Sequence, residues 1–378
     1  MKKILFAMIE TGGGHKAPAH AVMEALTIKF PAKYQLSMVD FYTQIGCGRI
    51  DRSLKESWDF LLLHPFLTHF LHQLQNSFGR ISRALLYRMY VTPAISRAIH
   101  YLKTEQPDVI FSTHYLITQV LVRARKKADL SFTLFTYQTE IFTYHAAWRV
   151  PGTDWYITSS RRAARRAAKG GIPSNKIRTF PYPTPPRFLS SRRDPSIIAQ
   201  ELGLKEDWKT ILFSFGNQGM STVFQYLLAM EIFSVPLNVI VATGRNNKRK
   251  IQIEKMSKHF KRINLIAMGY TNKMNELISV ADVCFIKPGP ATMMECMHSN
   301  KPIIFSMAAT PCEQEHANFA VARGIAKTTE NSVVLFQVGL NNFLKEESIS
   351  QIAQRYDSMQ LPNGAFDIAT FVDQIVST

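Results

Sequence analysis

Short apolar runs recur along the chain, each closed by a turn rich in Gly, Pro or Asn and followed by a stretch with helical spacing of apolar residues. Runs of that length between turn residues predict strands buried on both faces, and the stretches between them predict helices that cover a sheet. In the first half, strands are expected at Lys3 to Ile9, Val109 to His114, Phe132 to Thr136 and Tyr156 to Ser159, with a helix beginning near Pro18. In the second half, five runs stand out: Thr210 to Phe213, Asn238 to Ala242, Asn264 to Ala267, Val283 to Ile286 and Ile303 to Phe305. Such alternation predicts an α/β protein with parallel sheets. Pro181-Tyr182-Pro183-Thr184-Pro185-Pro186 is too proline-rich for a helix or a central strand and reads as a linker. The expected division is a first domain over 1–186, a second over 187–355, and a segment over 356–378 whose helix, Phe366 to Val376, crosses back onto the first domain.

Two turns carry candidate chemistry. After the strand at Val283, Lys287-Pro288-Gly289-Pro290 leads into a helix at Ala291-Thr292, with Glu295 one turn on. Free N–H groups of Ala291, Thr292 and Met293 at such a helix start would suit a diphosphate, with Glu295 within reach of ribose hydroxyls. Gln314 and Glu315, after the next strand, would meet a sugar; an ordinary strand-turn-helix with solvated ends is the alternative. After the first strand, Thr11-Gly12-Gly13-Gly14-His15 lets backbone approach a ligand and puts an imidazole at a strand's carboxyl end. The spacing is not Gly-x-Gly-x-x-Gly, and Asp40 is followed by a stretch that reads as irregular, so a dinucleotide site is not indicated. A lone His in a turn is commonly structural; heading the first βα loop favours a functional one.

Taken in order, these elements resemble the monogalactosyldiacylglycerol synthases and processive diacylglycerol glucosyltransferases. Gly12-Gly13-Gly14-His15-Lys16-Ala17 is similar to the family's opening signature. Thr139-Glu140, His145 and Trp148 resemble its Thr-Asp, His and Trp run, with Glu140 where the family has Asp. Ser214-Phe215-Gly216-Asn217-Gln218-Gly219 resembles its phosphate loop, and Thr243-Gly244-Arg245-Asn246 a Cys-Gly-Arg-Asn element. Gly269-Tyr270, Gly289-Pro290-Ala291-Thr292, Glu295 and Gln314-Glu315-x-x-Asn318 complete the match.

The resemblance implies two Rossmann-like domains of the GT-B type and an inverting lipid glycosyltransferase that needs no metal or cofactor. The donor would be UDP-glucose or UDP-galactose and the acceptor diacylglycerol or a related lipid. His15 would be the base, with Glu140 or His145 orienting or replacing it. Gly14, Gly216, Asn217, Gly219, Gly244, Arg245, Asn246, Gly269, Tyr270, Gly289, Ala291, Thr292, Glu295, Gln314, Glu315 and Asn318 would hold the donor. A sugar-nucleotide epimerase or a transferase to a soluble acceptor is the alternative on the same fold.

Composition bears on the acceptor. The chain of 378 residues carries a net charge of +17. Residues 1–190 hold 26 Lys and Arg against 11 Asp and Glu, whereas residues 191–378 hold 19 against 17. A basic first half suits anionic lipid headgroups, and by sign alone would also suit nucleic acid; the donor motifs argue against a noncatalytic adaptor, so no nucleic acid is expected. Arg161, Arg162, Arg165 and Arg166 alternate with Ala pairs on a predicted helix, a basic face for a membrane or simply a solvated one. Phe60 to Gly79 is a run of twenty residues without Asp, Glu, Lys or Arg, containing Phe66 and Leu67. Its His, Gln, Asn and Pro residues exclude a transmembrane helix, leaving an interfacial segment or a core helix. Phe66, Leu67 and Trp148 join the four arginines as the expected acceptor and membrane contacts. His64, His69 and His72 do not have the spacing of a metal site. Four cysteines without a Cys-x-x-Cys pair and an N-terminus that enters a strand directly predict a cytoplasmic protein peripherally associated with the inner face of the cell membrane.

Overall fold

The computed structural model describes residues 1–378 except 11, 65, 69, 72–83, 144–145, 190–192, 216–219, 234 and 378, and the backbone alone of 63 and 220–222. The chain forms two compact units, Met1–Pro186 with Pro362–Thr378, and Arg187–Leu361. Each is a six-stranded, wholly parallel sheet covered by helices, the two Rossmann-like domains of a GT-B protein.

In the first unit the order is β2-β1-β3-β4-β5-β6, where β1 is Lys2–Met8, β2 Tyr34–Asp40, β3 Val109–Ser112, β4 Thr133–Tyr137, β5 Trp155–Thr158 and β6 Ile177–Thr179. Period-two alternation sends neighbouring residues of β1 to opposite cores. Leu5 and Ala7 join Ile110, Leu134 and the helices Ile95–Glu105 and Tyr115–Ala128. Ile4 and Phe6 join Phe111, Phe135 and the helices Gly13–Lys29 and Ala365–Ser377. Each fully buried Leu, Ile or Phe side chain among these contributes roughly 1.5–3 kcal/mol.

The C-terminal helix therefore belongs to the first unit's core through Ile368, Ala369 and Val372. Its entry is pinned by Asn363, whose side chain donates to Thr184 O at 2.7 Å and accepts from Thr184 N at 3.2 Å. A Cβ on Gly364 would stand 2.0 Å from Pro181 O, so only glycine permits that crossing. The proline-rich segment is consequently packed against protein, Tyr182 through Pro186 all being buried.

In the second unit the order is β12-β11-β10-β7-β8-β9, with β7 Lys209–Ser214, β8 Leu237–Ala242, β9 Ile263–Met268, β10 Val283–Ile286, β11 Ile303–Phe305 and β12 Ala326–Thr328. Phe285 anchors its core, with ring centroids 4.7 Å from Phe215, 4.8 Å from Tyr226 and 4.6 Å from Phe336.

Three strands, β2, β6 and β12, lie outside the expected set. All are sheet edges, and β6 and β12 span three residues each, too short to show a period. Asp40 does close a strand, and the residues after it form a short helix, Phe41–Gln44, rather than an irregular stretch. Its carboxylate is held by Lys55 Nζ at 2.5 Å. The first helix also starts at Gly13, five residues before the expected Pro18. Gly12, at φ +101°, makes the turn that only glycine adopts readily, and Pro18 is carried inside the helix.

Candidate active site

Order reverses between β1 and β3 in one sheet and between β7 and β10 in the other, and crevices outside the carboxyl ends of strands at such points are where open α/β sheets bind ligands. His15 and Thr113 follow β1 and β3. His15 Nδ1 lies 2.7 Å from Thr113 O; a carbonyl only accepts, so Nδ1 carries the proton and Nε2 keeps its lone pair. Thr113 Oγ1 returns a bond to His15 O at 2.8 Å, fixing the loop in both directions. The residue keeps some exposure to solvent, yet protein crowds the ring enough to lower its pKa to about 4, the bond to Thr113 opposing that shift. His15 is therefore neutral and able to accept a proton at neutral pH. Gly14 beside it is half-buried, with nothing among the described residues within 4 Å of where a Cβ would stand.

A train of rings leads from His15 to the predicted carboxylate. Centroid distances are 4.7 Å from His15 to His114, 4.5 Å from His114 to Tyr115 and 5.6 Å from Tyr115 to Trp148. Burial raises the Tyr115 pKa, and the charge of Glu140 raises it further. The loop that carries Glu140 is held by buried Gln138, whose Nε2 donates to Glu140 O at 3.1 Å and to Thr143 O at 2.5 Å. Burial pushes the Glu140 carboxyl up to about 7. The Trp148 indole sits near enough to oppose that shift, but Glu140 Oε2 and Trp148 Nε1 have no hydrogen-bond partner among the described residues. Trp148, expected among the acceptor and membrane contacts, is 0 % exposed and packs on Tyr156, Ala167 and Ile172. An indole that size fills the core beside Glu140, so it does not reach a membrane. His145 lies outside the described residues.

The Glu140 shift has a measurable sign. Its folded pKa, about 7, exceeds the ordinary 4.5, so the favourable contribution is complete below 4.5 and is lost as pH rises through 7. Glu140→Gln is expected to gain stability over the native protein across that interval, up to about 3 kcal/mol above pH 7. Thermal melts of both proteins from pH 4 to 8 test this; a gap that does not widen with pH contradicts it.

In the second unit, Gly289 N donates to Lys287 O at 2.8 Å, closing a tight turn before the helix Pro290–His298. Proline at the first helical position has no N–H to lose, and the amides of Ala291 and Thr292 have no partner inside the helix. The Met293 amide, expected to be free, donates to Gly289 O at 3.2 Å because the helix has already closed its first turn there. Glu295, half-buried one turn on, is pushed up to about 7 by burial, with Arg187 opposing the shift.

Three residues not foreseen hold this turn in place. Lys287 Nζ meets Glu313 Oε1 at 3.2 Å, Glu313 Oε2 accepts Ala309 N at 2.8 Å, and His316 Nδ1 donates to Pro288 O at 3.1 Å. Thr310 Oγ1 accepts Glu313 N at 3.1 Å and caps the helix Pro311–Ala322. The Thr-x-x-Glu spacing of a capping box was legible and would have pointed to Glu313. On the same helix Gln314 and Asn318 are exposed and joined at 3.0 Å, while Glu315 is half-buried.

Beyond β8 and β9, Gly244 takes φ +58° and the Arg245 guanidinium lies 4.9 Å over the Tyr270 ring. Gly269 stands close by, with Gly244 O 4.0 Å from the position of its Cβ. Asn246 Oδ1 caps the helix Asn247–Ser257 by accepting Arg249 N at 3.1 Å. Gly216, Asn217 and Gly219 lie outside the described residues.

The helix Arg161–Lys169 buries Ala163 and Ala167 and exposes Arg161, Arg162 and Arg165, with Arg166 half-buried. Phe66 is 94 % exposed and Leu67 38 %, with Trp58, Phe60 and Phe70 also exposed nearby in the chain. Among the described residues no helix is long and apolar enough to cross a membrane.

The model of the monogalactosyldiacylglycerol (MGDG) synthase family matches residues 15–183, and that of the glycosyltransferase family 28 C-terminal domain matches 211–322. Monogalactosyldiacylglycerol synthase 1, chloroplastic, of Arabidopsis thaliana is 28% identical over 391 residues, covering 99% of this chain and 71% of the relative. The Spinacia oleracea synthase is 25% identical, covering 99% and 73%. Among solved structures, Acinetobacter baumannii MurG aligns with TM-score 0.59 and 14% identity over 99% of this chain and 100% of its own. HepE of Anabaena in complex with UDP-glucose aligns with TM-score 0.58 and 14% identity over 100% of both chains.

Proposed function

Because the chain belongs to the monogalactosyldiacylglycerol synthase family and is a glycosyltransferase, we propose that it transfers a hexose from UDP-glucose or UDP-galactose to diacylglycerol or a related lipid, with inversion. The observation that carries this reading is His15, a neutral imidazole whose Nδ1–H is spent on Thr113 O, leaving Nε2 to take a proton. In the reaction, Nε2 removes the proton of the acceptor hydroxyl as its oxygen attacks the anomeric carbon. The bond to the diphosphate breaks on the opposite side, and the departing charge is received by the Ala291 and Thr292 amides and by Arg245. Donors fixed beforehand by the Lys287–Glu313 and His316–Pro288 contacts stabilise that charge more in the transition state than in the ground state. Glu295 takes the ribose hydroxyls, and Gln314, Glu315 and Asn318 those of the hexose. Glu140 lies in the same unit as His15, separated from it by the rings of His114, Tyr115 and Trp148.

The exposed Phe66 and Leu67 and the basic first half support work at an anionic membrane surface, reached from the cytoplasm. The test is incubation with diacylglycerol vesicles and labelled UDP-glucose or UDP-galactose, expecting label in the lipid phase that increases with anionic lipid. Phe66→Glu combined with Leu67→Glu is expected to cut sedimentation with those vesicles about tenfold. Equal product without vesicles, all of it water-soluble, would instead favour the soluble-acceptor reading.

A further inference from the structure

Beside His15 stands a second imidazole to which the reaction above gives no task. His114 follows β3 directly, is 7 % exposed, and accepts Leu116 N on Nδ1 at 3.2 Å, capping the helix Tyr115–Ala128. A ring nitrogen that accepts bears no proton, so the neutral ring carries its hydrogen on Nε2. His15 has the opposite tautomer, because Thr113 O takes its Nδ1–H. The two rings meet edge-on with centroids 4.7 Å apart, and His114 is held from moving by its stack on Tyr115. Burial and the neighbouring His15 keep His114 uncharged. Two neutral imidazoles with centroids 4.7 Å apart thus carry a lone pair on His15 Nε2 and an N–H on His114 Nε2. A molecule that complements them has a hydroxyl to give up a proton and, on the next carbon, an oxygen able to accept a hydrogen bond. A glycerol backbone esterified beside its free hydroxyl is of that class; a simple long-chain alcohol is not.

We propose that His114 binds the acceptor, donating Nε2–H to the oxygen next to the reacting hydroxyl and so holding that hydroxyl against His15 Nε2. This rests on the reading of the chain as a lipid glycosyltransferase and names what distinguishes its acceptor. A hydrogen bond to a neutral oxygen strengthens acceptor binding and leaves the donor site untouched.

Serine and asparagine are both good helix caps, so His114→Ser and His114→Asn retain the bond to Leu116 N. Only asparagine also keeps an N–H donor. Initial rates are measured in mixed micelles of varied diacylglycerol content, with UDP-glucose or UDP-galactose varied separately, and with a long-chain alcohol as second acceptor. His114→Ser is expected to raise the diacylglycerol KM about tenfold or more with the donor KM unchanged, and to erase the preference for diacylglycerol over the alcohol. His114→Asn is expected to recover most of both. A purely structural role would move both KM values along with the melting temperature, and that result, or an unchanged diacylglycerol KM in the serine variant, overturns the proposal while the transferase reading stands. A native protein that glycosylates no lipid overturns both together.

Discussion

His15→Ala is expected to lower glycolipid formation about a thousandfold, within the range that loss of a positioned general base produces. The ring bonds Thr113 O and meets His114 edge-on, so its removal costs one hydrogen bond and one ring contact, about 1–3 kcal/mol, while the backbone bond from Thr113 Oγ1 to residue 15 persists and the fold is expected to hold. Donor binding is expected to persist, because every residue assigned to the diphosphate belongs to the other compact unit. The measurement is kcat with saturating lipid and sugar nucleotide, alongside calorimetric binding of UDP to the same variant. A kcat within tenfold of the native value would remove His15 as the base. Glu140, with a pKa of about 7, would then be the next candidate, and Glu140→Gln its test.

The second large effect concerns the donor. Glu295→Ala is expected to raise the KM for the sugar nucleotide about thirtyfold, the loss of hydrogen bonds from ribose hydroxyls to a charged group, with kcat changed little. Since burial brings the free carboxyl to about 7, the native donor affinity is expected to strengthen as pH rises through that value and the carboxylate form is populated. Glu295→Gln is expected to lose this pH dependence. A fall in kcat at unchanged KM would show instead that Glu295 acts in the transition state. Arg187, whose charge opposes the Glu295 shift, stands at the start of the second unit and ties the carboxyl's behaviour to the segment that enters it.

Much of the site was legible because its parts are local. The apolar runs at Val283 and Ile303 become β10 and β11 at the expected residues, since a fully buried parallel strand is announced by its own composition. Gly289 before Pro290 marked a helix start whose first two amides after the proline lack partners inside the helix, and that too follows from a few adjacent residues. Where local signal was thin, expectation failed: β6 and β12 are three residues long, and the glycine run concealed that the first helix includes His15. Trp148 was misread for a different reason. An aromatic near a catalytic run says nothing of its own exposure, which depends on Tyr156, Ala167 and Ile172 from later segments.

From sequence alone came the alternation of strands and helices, the two-domain α/β architecture, the glycine turn with His15, and the Pro290 helix with Glu295, all specified by neighbours within a turn or a strand. The tertiary structure alone decided which nitrogen of His15 is bare, since Thr113 is 98 residues away, and that His316 secures Pro288 across 28. It alone set the acidities of His15, Glu140 and Glu295, because desolvation is produced by whatever segments surround a group and not by the residues beside it in the chain.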